Sequence, residues 1–91
     1  MIVIIKRQFT KDLKALPKHV KEAIINVIDT LNKVDKLSDS NLHYIKLQGQ
    51  KSGENYYRIR VGDYRIGCEL RSPEIIIITL FHRQDNYKSF P

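Results

Sequence analysis

The sequence has a single cysteine, no tryptophan and few glycines, and these absences exclude several kinds of site. Because Cys68 is alone among the 91 residues, an intramolecular disulfide and a cysteine-based zinc site are both excluded. Its small and apolar neighbours Gly67 and Leu70 predict a buried side chain rather than a reactive thiol. The three histidines lie 24 and 39 residues apart without a nearby carboxylate cluster. No glycine-rich nucleotide loop is present either, so we expect neither a metal nor a cofactor.

Long hydrophobic runs are also missing. The longest one, residues 75–81, has the length of a strand and falls far short of the ~20 apolar residues that a membrane helix needs. Residues 1–9 have too short an apolar region, and the wrong order of charges, for a signal peptide. We therefore expect a cytoplasmic protein with no membrane partner. We also expect residues 1–91 to form one domain, because domains typically contain about 50 to 250 residues.

Positive charge is what the sequence has in excess. The formal net charge is +6, which favours anionic partners such as nucleic acid. Seven of the ten lysines lie within residues 1–43, whereas five of the six arginines follow residue 57. Arginine presents a planar fork that matches phosphate, whereas lysine is a strongly solvated point charge. The first half of the chain is therefore typical of a scaffold, and the second half is typical of a binding site.

The N-terminal part of the chain predicts one strand followed by two helices. Residues 2–5 are all β-branched, as is common in strands. Apolar residues then recur at steps of three and four up to Val34, which is the spacing of an amphipathic helix that packs on a core. Thr10 suits the N-cap of a short first helix. Pro17 suits the first turn of a longer helix that runs to about Val34.

The rest of the chain predicts four strands, at residues 43–47, 55–61, 64–70 and 74–81. This order predicts an α+β fold, a sandwich with two N-terminal helices packed on one face of a twisted, mainly antiparallel sheet. Both alternating sets of side chains in the last strand are apolar, so both faces of the sheet should be covered. The helices cover one face, and the C-terminal tail, a partner chain or both should cover the other.

A cluster of arginines is predicted on the face of the sheet that the helices leave open. A two-residue turn at residues 62–63 fixes the register of the hairpin, which places Arg60 opposite Arg65 and Arg58 opposite Gly67. Like charges placed directly opposite each other destabilise a sheet. We therefore expect an anion, such as an RNA phosphate, to bind there. Gly67 should leave open space for that ligand above the sheet.

The same face of the hairpin carries an aromatic ring and carboxylates. Tyr56 could stack on a base, and such stacking contributes ~1–3 kcal/mol per base. The alternative to a binding site is a solvated surface, on which Glu69 and Glu54 partly neutralise the arginines.

The C-terminal tail brings a second group of polar residues: His82, Arg83, Tyr87 and Lys88. If residues 83–88 form one helical turn, Arg83 and Tyr87 lie on the same side of it. They would then add charged and hydrogen-bonding groups to the arginine face. Alternatively, Tyr87 and Phe90 are hydrophobic covers of the sheet, and His82 is a structural hydrogen-bonding residue.

Two stretches, YYRIRVGDYRIGCEL and FHRQDNYK, resemble the RelE/ParE superfamily of bacterial and archaeal toxins. The resemblance covers essentially the whole chain, from IIKRQFTKDLKALP through KLQG to the tail. It implies a RelE-like fold of the microbial-RNase type. It also implies an antitoxin, encoded by the neighbouring gene, that wraps the toxin and inhibits it. Beside the arginines, the candidate RNA-binding residues are Lys46, Tyr56 and Lys88.

Within the superfamily, RelE-type members cut mRNA in the ribosomal A site, whereas ParE-type members poison DNA gyrase and largely lack the cleavage residues. In RelE-type cleavage the RNA 2′-hydroxyl attacks and leaves a 2′,3′-cyclic phosphate and a 5′-hydroxyl. The resemblance assigns this reaction to Arg58, Arg60, Arg65, Arg83 and Tyr87. We therefore expect a ribosome-dependent endoribonuclease whose partners are the ribosome, mRNA and the antitoxin. A gyrase poison and a non-cleaving RNA-binding module are the alternatives.

One departure from the family pattern concerns proton transfer. Some RelE-type toxins have lysines where this chain has Arg58 and Arg60, and arginine cannot readily act as a general base. The remaining candidates for that role are Tyr87, His82 and Lys88. Tyr87 ranks first by resemblance. His82 ranks second, because imidazole transfers protons at neutral pH without special activation.

Overall fold

The helices and strands follow one another in the predicted order. The structure is a computed structural model and describes residues 1–85 and 90–91. The elements in these residues are β1 (Ile2–Ile5), α1 (Arg7–Lys14), α2 (Lys18–Lys33), a short 3-10 helix (Leu37–Asp39), β2 (His43–Lys46), β3 (Tyr56–Val61), β4 (Tyr64–Arg71) and β5 (Glu74–His82). In this part of the chain, no helix is both long and apolar enough to span a lipid bilayer.

The described strands form one mixed sheet in the order β1-β5-β4-β3-β2. β1 runs parallel to β5, and the other neighbouring pairs are antiparallel. The register of the β3–β4 hairpin is the predicted one, with Arg60 opposite Arg65 and Arg58 opposite Gly67. The prediction of a mainly antiparallel sheet is therefore confirmed, with β1 as a parallel edge strand.

One core cluster joins the helices to the sheet. Phe9 of α1 and both Ile24 and Leu31 of α2 are almost completely buried. They belong to one cluster with these side chains of the sheet: Ile59, Ile66, Cys68, Ile75, Ile77 and Leu80. The predicted packing of both helices on one face of the sheet is confirmed. The buried position of Cys68 is confirmed too, and burial raises the pKa of its thiol to about 12.

The first helix begins earlier than the sequence predicts. Thr10 is not its N-cap, because α1 starts at Arg7 and the capping position is Lys6, without a side-chain hydrogen bond. Apolar spacing shows which helical residues face the core but not where the helix begins, which explains this error. Pro17 does lie at the start of α2, where its carbonyl accepts a hydrogen bond from the N–H of Val20 at 3.1 Å.

A β-bulge in β5 changes the side to which the end of that strand points. Gly67 lies opposite Thr79, whereas its neighbour Cys68 lies opposite Ile77, so Ile78 is an additional residue. The residues after Ile78 therefore point to the faces opposite to those that strict alternation assigns. Leu80 and His82 point toward the helices, whereas Thr79 and Phe81 point toward the other face.

The C-terminal Phe90 covers part of the face that the helices leave open, which we call the outer face. A methyl group placed on Gly67 would lie 2.8 Å from two carbon atoms of the Phe90 ring. The same ring packs near Tyr56 and Phe81, with ring centroids 5.8 and 6.3 Å apart. The prediction that the tail covers this face is therefore confirmed for Phe90. The prediction of open ligand space above Gly67 is wrong.

Candidate functional site

An open cavity of about 520 Å³ lies on the outer face, toward the β2 edge of the sheet. Its described lining residues are His43, Tyr44, Ile45, Arg58, Arg60, Arg65 and Arg83. The structure thus brings the three hairpin arginines together with Arg83, which follows β5. We call this site the arginine cavity.

Alternation along the strands explains how the cavity is built. Successive side chains of a strand point to opposite faces, so Arg58 and Arg60 share the outer face while Ile59 between them is buried. Across the sheet, Arg60 lies opposite Arg65 of β4 on one side and His43 of β2 on the other. Three neighbouring strands, ~4.8 Å apart, therefore contribute nitrogen-bearing side chains to one row.

In the part of the chain that the structure describes, only Arg83 of the four cavity arginines has a carboxylate partner. Arg83 Nε lies 3.2 Å from Asp63 Oδ1, and its backbone N–H donates to the Asp63 carbonyl at 2.7 Å. Glu69 pairs instead with Arg71, at 3.2 Å between Oε2 and Nε. Glu54 accepts a hydrogen bond from a backbone N–H of its own loop at 2.7 Å. Among the described residues, neither Glu69 nor Glu54 forms an ion pair with the cavity arginines, so the cavity keeps an excess of positive charge.

Two of the guanidinium groups differ in how they are held. Arg65 Nη1 donates to the carbonyls of Gly62 and Tyr64, at 3.0 and 2.9 Å, so the turn fixes its direction. Arg58 Nε is buried and has no hydrogen-bond partner among the described residues. A buried donor without a partner costs about 1–3 kcal/mol, and an anion in the cavity would remove that cost. The cavity thus combines one oriented guanidinium with one whose Nε has no acceptor among residues 1–85 and 90–91.

The structure places three other candidate residues outside the cavity. Lys46 points to the helix side of the sheet, since it alternates with Ile45 along β2. His82 also points to the helix side because of the bulge, and its ring meets Tyr64 edge-on with centroids 5.2 Å apart. Tyr56 does lie on the outer face, but it packs beside Phe90. None of these three side chains joins the arginines.

Two candidates fall outside the described residues, and two cavity residues are absent from the sequence-based set. Nothing in the structure bears on Tyr87 and Lys88, whose roles stay predictions from the resemblance. His43 and Ile45 line the cavity, although the sequence does not single them out. The connection at residues 47–55 is too long to fix the register between β2 and β3. The alternation of side chains along the short β2 segment was the one sequence signal that could have placed His43 and Ile45 on a common face.

The donor groups of the cavity suit an anion. Guanidinium groups donate hydrogen bonds and cannot act as acceptors, so phosphate or carboxylate is the natural ligand. Across residues 1–85 and 90–91, no group of three or more His, Cys, Asp or Glu side chains is close enough to hold a metal ion.

The fold and the cavity together define a class: a small α+β protein with a cationic site on the outer face of its sheet. Residues 3–87 match the family described as ParE toxin of type II toxin-antitoxin system, parDE. Toxin RelE3 of Methanocaldococcus jannaschii is 40% identical over 91 residues, which is 100% of both chains. The chain therefore belongs to the RelE/ParE superfamily of type II toxins.

Solved structures of archaeal toxins have the same fold. A RelB–RelE antitoxin–toxin complex from Methanococcus jannaschii contains a chain that matches with a TM-score of 0.79 and 38% identity, covering 97% of this chain and 99% of that chain. In a RelE–RelB complex from Pyrococcus horikoshii OT3, the TM-score is 0.75 and the identity 29%, with coverage of 93% and 97%. The predicted superfamily and the RelE-like fold are thereby confirmed.

Proposed function

We propose that this toxin is a ribosome-dependent endoribonuclease that cuts mRNA in the ribosomal A site. One observation carries the proposal: four arginines line one cavity, and a single carboxylate pairs with them among the described residues. Guanidinium groups match the oxygens of a phosphate in a forked, bidentate geometry. The RelE names of the relatives support the same branch of the superfamily.

The proposed reaction requires a phosphate group that is held while negative charge develops on it. The ribose 2′-hydroxyl oxygen attacks the phosphorus and the bond to the 5′-oxygen breaks, which leaves a 2′,3′-cyclic phosphate and a 5′-hydroxyl. The four cavity arginines would bind the nonbridging oxygens and stabilise the charge that develops in the transition state. Removal of one preorganised donor of this kind typically lowers kcat by ~10²–10³-fold.

The arginines would contribute in different ways. Arg65 is already oriented by the carbonyls of the turn, so it loses little freedom when phosphate binds. Arg58 gains an acceptor for its buried Nε. The ribosome would orient the RNA over these groups and so supply much of the required alignment.

Purified ribosomes programmed with end-labelled mRNA provide the test. The wild-type protein should create new 3′ ends at the A-site codon and none on mRNA without ribosomes. Arg65→Ala and Arg83→Ala should each lower the rate by ~10²–10³-fold, with a nearly unchanged thermal unfolding midpoint. Arg7→Ala is the matched control, because Arg7 is exposed on α1 and does not line the cavity. No new 3′ ends with the wild-type protein would refute ribosome-dependent cleavage.

A second candidate function is inhibition of DNA gyrase without RNA cleavage. The description of the matching family favours it, since it names the ParE toxin. An assay for gyrase-dependent double-strand breaks distinguishes the two functions. Breaks in DNA together with intact mRNA on programmed ribosomes would support gyrase as the target.

We also propose that an antitoxin covers the outer face. The two archaeal relatives above are complexes of RelE with RelB. An acidic segment would neutralise the arginine cavity, and apolar side chains would cover Ile2, Ile4 and Ile45, which are 56%, 37% and 54% exposed. The product of the neighbouring gene should co-purify with the toxin and suppress cleavage. If it does neither, the assignment of the neighbouring gene product as the antitoxin fails.

A further inference from the structure

We propose, on the basis of the endoribonuclease function above, that His43 is the residue that transfers the proton in RNA cleavage. The arginines hold charge but cannot readily accept a proton. His82 points away from them, toward Tyr64 and the helix side of the sheet. Among the described residues that line the arginine cavity, His43 supplies the imidazole.

The position of His43 fits a role beside a bound phosphate. It lies directly opposite Arg60 in the β2–β3 pair, and the Cβ atoms of directly opposite residues are ~4.5–5.5 Å apart. An anion bound by Arg60 is therefore within reach of the imidazole. β2 is an edge strand and His43 is exposed, so an RNA strand can approach it from solvent.

Ile45 indicates on which side of the phosphate the nucleoside lies. It is 54% exposed and lies opposite Arg58, on the same face as His43. The cavity thus has a charged side on β3 and β4, and a side on β2 with one apolar and one imidazole side chain. A nucleotide whose phosphate lies over the arginines would place its base and sugar toward β2. Its 2′-hydroxyl would then lie between the phosphate and His43.

The proton balance closes with this assignment. Neutral His43 takes the proton of the 2′-hydroxyl as that oxygen bonds to phosphorus. The bond from phosphorus to the 5′-oxygen breaks, and this oxygen receives a proton from the imidazolium, either directly or through water. No further reactant is consumed, since the two products together have the composition of the original RNA. The arginines remain protonated throughout.

The charged groups that face His43 come from β3, β4 and the residues after β5. They are Arg58, Arg60, Arg65 and Arg83, with Asp63 bound to Arg83. The helices contribute none to the described lining of the cavity. The Asp12 carboxylate of α1 accepts a hydrogen bond from Thr79 Oγ1 of β5 at 3.4 Å, and neither residue lines the cavity. Across residues 1–85 and 90–91, no carboxylate lies within ion-pair distance of the His43 imidazole.

The test is the pH dependence of single-turnover cleavage on programmed ribosomes. The wild-type rate should fall toward acid pH, as expected when an imidazole base becomes protonated. His43→Gln should lower the rate by ~10²–10⁴-fold and remove this acid limb. His19→Gln is the matched control, because His19 is exposed on α2 and does not line the arginine cavity. Added imidazole should restore part of the activity of His43→Ala.

Each outcome has a distinct meaning. A wild-type protein that does not cut RNA overturns both the endoribonuclease function and the role of His43. Cleavage by His43→Gln at the wild-type rate, with the acid limb intact, overturns the role of His43 alone. Loss of the acid limb in His82→Gln instead would do the same. Thermal unfolding identifies a variant that fails to fold, and the imidazole rescue of His43→Ala then decides, since lack of rescue contradicts the role.

Discussion

Replacing Gly67 by alanine should destabilise the protein, because Phe90 occupies the space that the new methyl group needs. This methyl group would lie 2.8 Å from Cε1 and Cζ of Phe90 and 2.9 Å from Cγ2 of Thr79. Ordinary carbon contacts are ~3.5–4.0 Å. Overpacking of this kind costs ~1–3 kcal/mol, whereas removing a glycine from a strand otherwise stabilises by roughly 0.5–1 kcal/mol. The clash should outweigh this gain, and the free energy of unfolding should fall by ~0.5–2 kcal/mol.

A change of background tests the cause of that loss. Phe90→Ala removes two of the three close contacts. Thr79→Ser removes the third and keeps the hydroxyl group. In the Phe90→Ala/Thr79→Ser background, Gly67→Ala should therefore be neutral or stabilising, as urea unfolding followed by circular dichroism would show. If Gly67→Ala has the same effect in both backgrounds, within ~0.5 kcal/mol, Phe90 does not sit over Gly67 and the reasoning is refuted.

The charges around the cavity and the buried thiol give three further expectations. Arg60→Gln removes the like-charge pair with Arg65, so it should stabilise the fold by ~0.2–1 kcal/mol. The same change should slow RNA cleavage. A lower thermal unfolding midpoint would contradict the expected stabilisation. Asp63→Asn removes the ion pair with Arg83, so the Arg83 guanidinium should be free to bind phosphate. A short RNA should then bind more tightly at low salt, as measured by fluorescence anisotropy. Weaker binding would argue against a role of Arg83 in holding phosphate. Burial raises the pKa of Cys68 from 9.0 to about 12, so the unfolded chain loses this proton first. The stability that this group contributes is complete below pH 9.0 and is lost as the pH rises toward about 12. In that range the free energy of unfolding, measured by urea unfolding, should fall by up to ~1.4 kcal/mol per pH unit. Cys68→Ala should remove this dependence on pH. If the free energy of unfolding falls equally with pH in the two proteins, the expectation is wrong.

The sequence predicts the β3–β4 hairpin down to single residue pairs, because a two-residue turn leaves one register. Arg60 therefore lies opposite Arg65, as expected. The neighbouring strand β2 is different. Residues 47–55 can join it to β3 in several registers, so the sequence does not show that His43 and Ile45 share a face with the arginines. Long-range packing, rather than local pattern, decides that part of the cavity.

The end of β5 could not be predicted for a different reason. Residues 75–78 are all isoleucine, so no alternation exists there that a bulge could interrupt visibly. Strict alternation places His82 on the face of the arginines, whereas the additional residue Ile78 places it on the face of the helices. The sequence therefore identifies the imidazole as a chemically suitable group but does not show that it points away from the arginines.

The additional residue in β5 also makes this strand tolerant of a change in length. Deletion of Ile78 would convert the bulge into a regular strand, and the side chains from Thr79 to His82 would keep their present faces. The same deletion at Ile59 of β3 would send Arg58 or Arg60 into the core. At position 78 the chain can therefore be shortened by one residue while the following side chains stay on the same faces of the sheet. We expect natural variation in the length of this strand to occur there.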